Sequence, residues 1–301
     1  MKTPPYLKKG DKIVLLSPAS KIKYKRVKPA INVYRSWGLN VQIGKHTFNE
    51  FYTFSAEATE RKNDFQAVLD DESIKAIFCT RGGYGSIQII NGLDFSKFNQ
   101  SPKWIVGYSD ITVFHIYMNF VLEYESLHGL MSKDFYDYLL DNQYVESQRK
   151  LLFGENIMYK ISSHKLNKPG KATGILVGGN LSTIISLLGT RYLNTIEGKI
   201  LFIEDVGEHL YRLDRMMNQF KLSGILGKIK ALIVGGMTKM KSKTEFGKNP
   251  IQIIDAITEE YNYPIVYNFP AGHQKKNYSL ILGRKVFLKI TKSITILSYK
   301  N

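Results

Sequence analysis

The chain is nearly free of cysteine. Cys79 stands alone among 301 residues, so no internal disulfide can form and no cysteine cluster can hold a metal. Cys79 lies in the apolar run Ile74-Lys75-Ala76-Ile77-Phe78-Cys79, which marks a buried strand thiol rather than a nucleophile. No apolar run is long enough to span a bilayer. The first residues, Met1-Lys2-Thr3-Pro4-Pro5-Tyr6, are basic but lack the apolar stretch of a secretion signal, so a cytoplasmic protein with no membrane partner is expected. Acidic residues are scarce: 26 Asp and Glu face 42 Lys and Arg, a formal charge of +16 and a pI near 9.6. Such an excess can mark a nucleic-acid binder. Here the lysines are spread, with small clusters at Lys21 to Lys28, Lys239 to Lys243 and Lys275-Lys276, and no helix-turn-helix, zinc-finger or RNP-like motif accompanies them. No nucleic-acid partner is therefore expected. A field that attracts anionic peptide or nucleotide-peptide substrates is the more economical reading, beside a plain lysine bias of composition. Repeats, heptads and low-complexity segments are also missing.

What is present suits a globular enzyme. The 44% hydrophobic content leaves ample material for a core, and 301 residues suggest two domains or one large one. Strands are expected at Lys12 to Ser17, Val41 to Ile43, Ile74 to Thr80 and Trp104 to Tyr108. Helical spacing alternates with them at Val27 to Trp37, Ala56 to Leu69, Gly85 to Asn91 and from Ile111. This rhythm predicts an α/β protein whose first domain, 1–140, is a doubly wound parallel sheet. Polar residues and the turn signal Lys168-Pro169-Gly170 suggest a linker over 141–170. A second α/β domain over 171–301 follows, with strands at Ala172 to Val177, Lys199 to Ile203, Ala231 to Val234, Ile265 to Asn268 and Val286 to Ile290.

Three strand ends carry chemistry. In Gly107-Tyr108-Ser109-Asp110 a serine sits at the apex of a strand–turn–helix, where its hydroxyl is exposed and the helix N-terminus offers N–H donors to an oxyanion. Ser109 and Asp110 also suit a simple helix cap. The strand Ile200 to Ile203 ends in Glu204-Asp205, and the strand at Ile265 leads to Gly272-His273. Serine, acid and base thus each follow a strand end, where open α/β sheets build their sites. The chain order matches α/β-hydrolases, but their Gly-x-Ser-x-Gly elbow would need glycine where Ile111 stands, so a different fold is expected. Arg81-Gly82-Gly83-Tyr84-Gly85 is neither a dinucleotide fingerprint nor a P-loop, so its exposed N–H groups suit an oxyanion or a substrate carboxylate. Glu204, Asp205, Glu208 and His209 lack a supporting His-x-x-x-His pair. Glu208 can instead pair with Arg212 one turn on, so no metal and no cofactor are expected.

Taken together, Arg81 to Gly85, Gly107 to Thr112, His128-Gly129, Gly178-Gly179-Asn180-Leu181-Ser182, Glu204 to Glu208 with Tyr211 and Asp214-Arg215, and Gly272-His273 resemble the LD-carboxypeptidase family of serine peptidases. The likeness runs from about residue 10 to about residue 285. It implies a flavodoxin-like first domain and a second domain with a mixed, partly barrel-like sheet. It implies Ser109 as nucleophile, Glu204 as orienting acid and His273 as general base, with an oxyanion hole from the backbone N–H groups of Gly83 and Asp110. Arg81, Gly82, Tyr84 and His128 are the expected substrate residues. Because side chains alternate along a strand, only one of Glu204 and Asp205 can readily face the histidine, and the motif selects Glu204. Gln88, Leu130 and Leu280-Ile281-Leu282-Gly283 depart from the family pattern on the substrate side. The implied partner is a small peptide: a murein tetrapeptide that loses D-alanine in cell-wall recycling, or alternatively a peptidyl-nucleotide of the microcin C type. A homodimer is the expected assembly.

Overall fold

A near-continuous apolar run must be covered on both faces. Ile13, Val14, Leu15 and Leu16 meet that demand at the centre of a parallel sheet, as β1 (Lys12–Leu16). The computed structural model describes residues 1–136, 143–193, 195–242 and 245–299. The chain divides into two units, 1–156 with 278–281, and 157–277 with 282–301. The expected boundary at 140–141 and Lys243, the end of one basic cluster, lie outside the described residues.

In the first unit β1 is followed by α1 (Tyr24–Ser36), β2 (Asn40–Ile43), α2 (Ala58–Asp70), β3 (Ile74–Cys79), α3 (Ser86–Ile90), β4 (Trp104–Gly107), α4 (Thr112–Phe120), β5 (Ser126–His128) and α5 (Gln143–Leu152). Strands β1 to β5 pair in parallel in the spatial order β2-β1-β3-β4-β5. That is the flavodoxin-like order, and it reverses between β1 and β3, where such sheets bind ligands beyond the carboxyl ends of their strands. The loops that follow β1 and β3 are stitched together by the buried Arg61. Its Nη1 donates to the carbonyls of Pro18 (2.7 Å) and Gly85 (3.0 Å), and its Nη2 donates to Gln88 Oε1 (2.6 Å).

The second unit contains β6 (Met158–Ser162), β7 (Gly170–Asn180), α6 (Leu181–Leu187), β8 (Ile200–Val206), α7 (Leu210–Leu222), α8 (Ile225–Lys228), β9 (Ala231–Thr238), α9 (Pro250–Thr258) and β10 (Ile265–Val266). The chain then adds β11 (Leu280–Leu282) to the edge of the first sheet, beside β5. It ends with β12 (Lys285–Ile290) and β13 (Ile294–Tyr299) in the second sheet. That sheet runs β10-β9-β8-β7-β12-β13-β6. The first four pair in parallel and the last three are joined antiparallel, so the sheet is mixed and open rather than a closed barrel. In β12 buried and less buried residues alternate, as expected when one face packs and the other is solvated.

Where the sequence suggests a linker over 141–170, the structure has α5 and β6. Helix α5 buries Val145, Leu151 and Leu152, and β6 pairs with β13. Sequence reasoning also passes over β5, β11 and β13. A three-residue strand such as β5 carries too little pattern to stand out from a loop.

Candidate active site

The serine turn is built from β4 outward. All four residues of β4 are buried. The Gly107 carbonyl at its end lies 2.8 Å from His115 Nε2, and His115 Nδ1 lies 2.9 Å from Ser126 Oγ. A carbonyl can only accept, so Nε2 carries the proton and Nδ1 accepts from the serine hydroxyl. Burial pulls the His115 pKa down to about 4, which keeps the ring neutral in this role. Tyr108 is extended, and Ser109 then adopts φ +67°, left-handed backbone that a residue with a Cβ enters at a cost of roughly 1–3 kcal/mol. A 3-10 turn, Ser109–Ile111, leads directly into α4.

Neighbours hold Ser109 in that conformation. A Cβ on Gly82 would come within 2.8 Å of Ser109 Cβ and 3.3 Å of the Asp110 nitrogen, so only glycine lets the loop after β3 lie against the serine. Gly83 has φ +103°, and the Tyr84 N–H donates to Ser20 Oγ at 3.3 Å. The Asp110 side chain does not cap its own helix. Its Oδ2 accepts from the Ser86 N–H at 2.8 Å and so caps α3, while burial raises its pKa. Arg81 Nη1 donates to the Lys21 carbonyl at 3.0 Å, and the Tyr84 ring is about half exposed. His128 is placed differently from expectation. It is fully buried on β5, with its ring centroid 5.8 Å from that of Tyr108 and 6.1 Å from that of His115, because β5 lies inside the sheet between β4 and β11.

In the second unit the acid and the histidine meet. Glu204 is fully buried near the end of β8; its Oε2 lies 2.7 Å from His273 Nδ1 and accepts from the His273 backbone N–H at 3.0 Å. Its Oε1 is buried with no hydrogen-bond partner among the described residues. The His273 loop is fixed at several points. Thr238 Oγ1 donates to the His273 carbonyl (2.6 Å), the Gly272 N–H donates to Asn277 Oδ1 (2.8 Å), and the Gly236 N–H donates to the Ala271 carbonyl (3.0 Å). Gly272 has φ +95°, and a Cβ there would come within 2.5 Å of Glu204 Cγ. Asp205 faces elsewhere. Its Oδ1 accepts from Asn180 Nδ2 (3.0 Å) and the Val206 N–H (2.8 Å), and its Oδ2 accepts from the Ser182 N–H (2.9 Å). Burial, reinforced by neighbouring Glu204, pushes the Asp205 pKa up to about 6. Glu208 lies 3.7 Å from Arg212.

The supports Ser20, His115, Thr238 and Asn277 have no sequence signal; they are ordinary residue types made relevant by position. A histidine whose Nδ1 faces a buried carboxylate can serve as a general base through Nε2. A serine on a strained turn ahead of a helix can serve as a nucleophile.

Comparison with known proteins finds relatives along almost the whole chain. Residues 13–129 match the LD-carboxypeptidase N-terminal domain, and residues 173–288 match the LD-carboxypeptidase C-terminal domain. A probable murein peptide carboxypeptidase of Bacillus subtilis is 32% identical over 300 residues, covering 98% of this chain and 93% of that protein. The crystal structure of a muramoyltetrapeptide carboxypeptidase from Oxalobacter formigenes superposes with a TM-score of 0.86 at 28% identity, covering 96% of this chain and 99% of that one. A microcin C7 self immunity protein in complex with aspartyl sulfamoyl adenosine has the same fold, with a TM-score of 0.87 at 22% identity and 98% coverage of both chains. Among the described residues no helix is long and apolar enough to cross a membrane.

Proposed function

Because this chain belongs to the LD-carboxypeptidase family of serine peptidases, we propose that it hydrolyses an L,D-peptide bond and releases the terminal D-alanine of murein tetrapeptides, with Ser109, Glu204 and His273 as one catalytic triad. The observation that carries the assignment of the triad is the buried Glu204 carboxylate 2.7 Å from His273 Nδ1. A carboxylate there keeps the proton on Nδ1 and leaves the Nε2 lone pair free for a serine proton.

In this reading His273 Nε2 takes the Ser109 proton as Oγ attacks the carbonyl carbon that precedes D-alanine. The oxyanion that forms is held by the N–H groups of Gly83 and Asp110, beside the tight Gly82–Ser109 contact. The imidazolium, stabilised by Glu204, then gives its proton to the departing amine. Water, deprotonated by the same histidine, cleaves the acyl-enzyme and restores Ser109. Arg81 and Tyr84, exposed on the loop beside the serine, are the substrate contacts. His128, expected among the substrate residues, instead packs beside Tyr108 from inside the sheet. The enzyme is taken to act in the cytoplasm as a homodimer, which cell fractionation and light scattering test.

The deciding experiment is incubation with a murein tetrapeptide ending in D-alanine and, separately, with a peptidyl-adenylate, with the products read by mass spectrometry. Release of D-alanine, abolished in Ser109→Ala, is the expected result. Cleavage of the nucleotide conjugate alone would replace this substrate with the alternative one.

A further inference from the structure

Arg61 stands near the start of α2, and its guanidinium is buried. Beside the bonds to Pro18, Gly85 and Gln88, its Nε donates to the Ala56 carbonyl at 3.0 Å. Its bonded partners are therefore three backbone carbonyls, from three separate loops, and one side-chain amide, all of them neutral. The Phe54 ring lies against the guanidinium, with 4.8 Å from Cζ to the ring centroid. Taking a charge out of water costs several kcal/mol, and a clasp between loops needs no charge. The charge is answered through space by Asp110, the residue after Ser109: burial pulls the Arg61 pKa down, and the Asp110 carboxylate pushes it back up.

The grip falls on the glycine loop after β3. Arg61 holds the Gly85 carbonyl, and a Cβ on Gly85 would lie 2.6 Å from Nη1, so the guanidinium is pressed against bare backbone. Ser20 holds the other end. Its N–H donates to the Gly82 carbonyl at 3.2 Å, its Oγ accepts from the Tyr84 N–H at 3.3 Å, and a Cβ on Gly83 would collide with that oxygen. Between these two holds lie Gly82, which packs on Ser109, and Gly83, whose N–H would face the oxyanion. Asp110 takes the Ser86 N–H just beyond Gly85, so its buried carboxylate sits beside the loop that must accept a second negative charge. Arg61 offsets that carboxylate, which gives its buried charge a purpose.

We propose that Arg61 and Ser20 are positioning residues of the oxyanion hole, clamping the Gly82–Gly85 loop so that the Gly83 N–H meets the oxyanion formed at Ser109. The inference rests on Ser109 as nucleophile, and its test separates the two. Steady-state D-alanine release gives kcat and KM. Intact mass follows the rate at which a small fluorophosphonate labels Ser109, a reaction that needs the oxyanion hole but not the peptide. In Arg61→Lys a single ammonium cannot span three carbonyls. There kcat and the labelling rate fall together by about tenfold to a hundredfold, while the tetrapeptide Kd, measured in the Ser109→Ala background, moves less than about twofold. In Arg61→Ala, added guanidinium ion restores part of the lost rate and an equal concentration of sodium chloride does not. Ser20→Ala removes one hydroxyl and no charge, and lowers both rates about threefold to tenfold, the worth of one hydrogen bond. It carries the test if the Arg61 variants do not fold. Rates within about twofold of wild type in folded Arg61→Lys or in Ser20→Ala, or a loss shared equally by the tetrapeptide Kd, overturn the proposal. A wild type that is labelled at Ser109 yet releases no D-alanine overturns the peptide substrate instead, and the labelling rates still decide the clamp. An unlabelled Ser109 overturns both.

Discussion

Glu204→Gln isolates what the buried carboxylate contributes, because the substitution preserves shape and removes charge. The glutamine has two orientations. If its oxygen replaces Oε2 it still accepts from the His273 backbone and from Nδ1, but its amide then occupies the place of Oε1, which has no partner among the described residues. A buried donor left unmet costs about 1–3 kcal/mol, partly offset because a buried charge has gone. If the amide turns toward His273 instead, Nδ1 must accept and the proton moves to Nε2, where it blocks uptake of the serine proton. Either way the imidazolium loses its counter-charge. Neutralising a triad acid in this manner lowers kcat by roughly two to four orders of magnitude, or about 3–5 kcal/mol of barrier. The melting temperature should move little by comparison. The assay is D-alanine release at saturating tetrapeptide, with a thermal melt followed by circular dichroism on the same preparations. A Glu204→Gln enzyme within about threefold of wild type, or an Asp205→Asn enzyme that is folded yet more impaired than Glu204→Gln, would refute the assignment.

Asp205→Asn should act on stability and its pH dependence. The folded-state pKa of Asp205 is raised from 3.8 to about 6, so the folded protein binds the extra proton in that window. The stabilisation is full below about pH 4 and is lost as pH rises through 6. Wild type should therefore lose up to about 3 kcal/mol relative to Asp205→Asn across the window, read by denaturant titration at several pH values. Gly82→Ala should cut kcat by at least about tenfold, because its Cβ would lie 2.8 Å from Ser109 Cβ and displace the nucleophile; unchanged kcat would mean the turn has slack. Ser109→Ala and His273→Ala should each abolish turnover, and the double variant should be no worse than either alone. Multiplying losses in steady-state kinetics would show that the two residues do not share one step.

Much of this protein is legible in its sequence because the signals are local. Apolar runs such as Lys12–Leu16 and Ile200–Val206 can only be buried strands, glycines mark the turns, and the order of serine, acid and histidine after strand ends is a property of the chain. The alternation of side chains along a strand limits which of Glu204 and Asp205 can face a given partner, but it does not say which one does. Tertiary structure provides that answer, by setting Glu204 beside the His273 loop and Asp205 against Asn180 and Ser182. Strand order is likewise silent in sequence, since any parallel strand satisfies the same apolar pattern in several places. Only once β1 and β3 lie side by side do Lys21, Arg81 and Lys133, more than a hundred residues apart at the extremes, line one cavity. The strain at Ser109 was equally invisible, because φ +67° is imposed by the packing of Gly82 and the capping of α3 by Asp110 rather than by any preference of serine itself. Local chemistry specified which residues could act. The partners brought to each one through space decided which of them are positioned to do so.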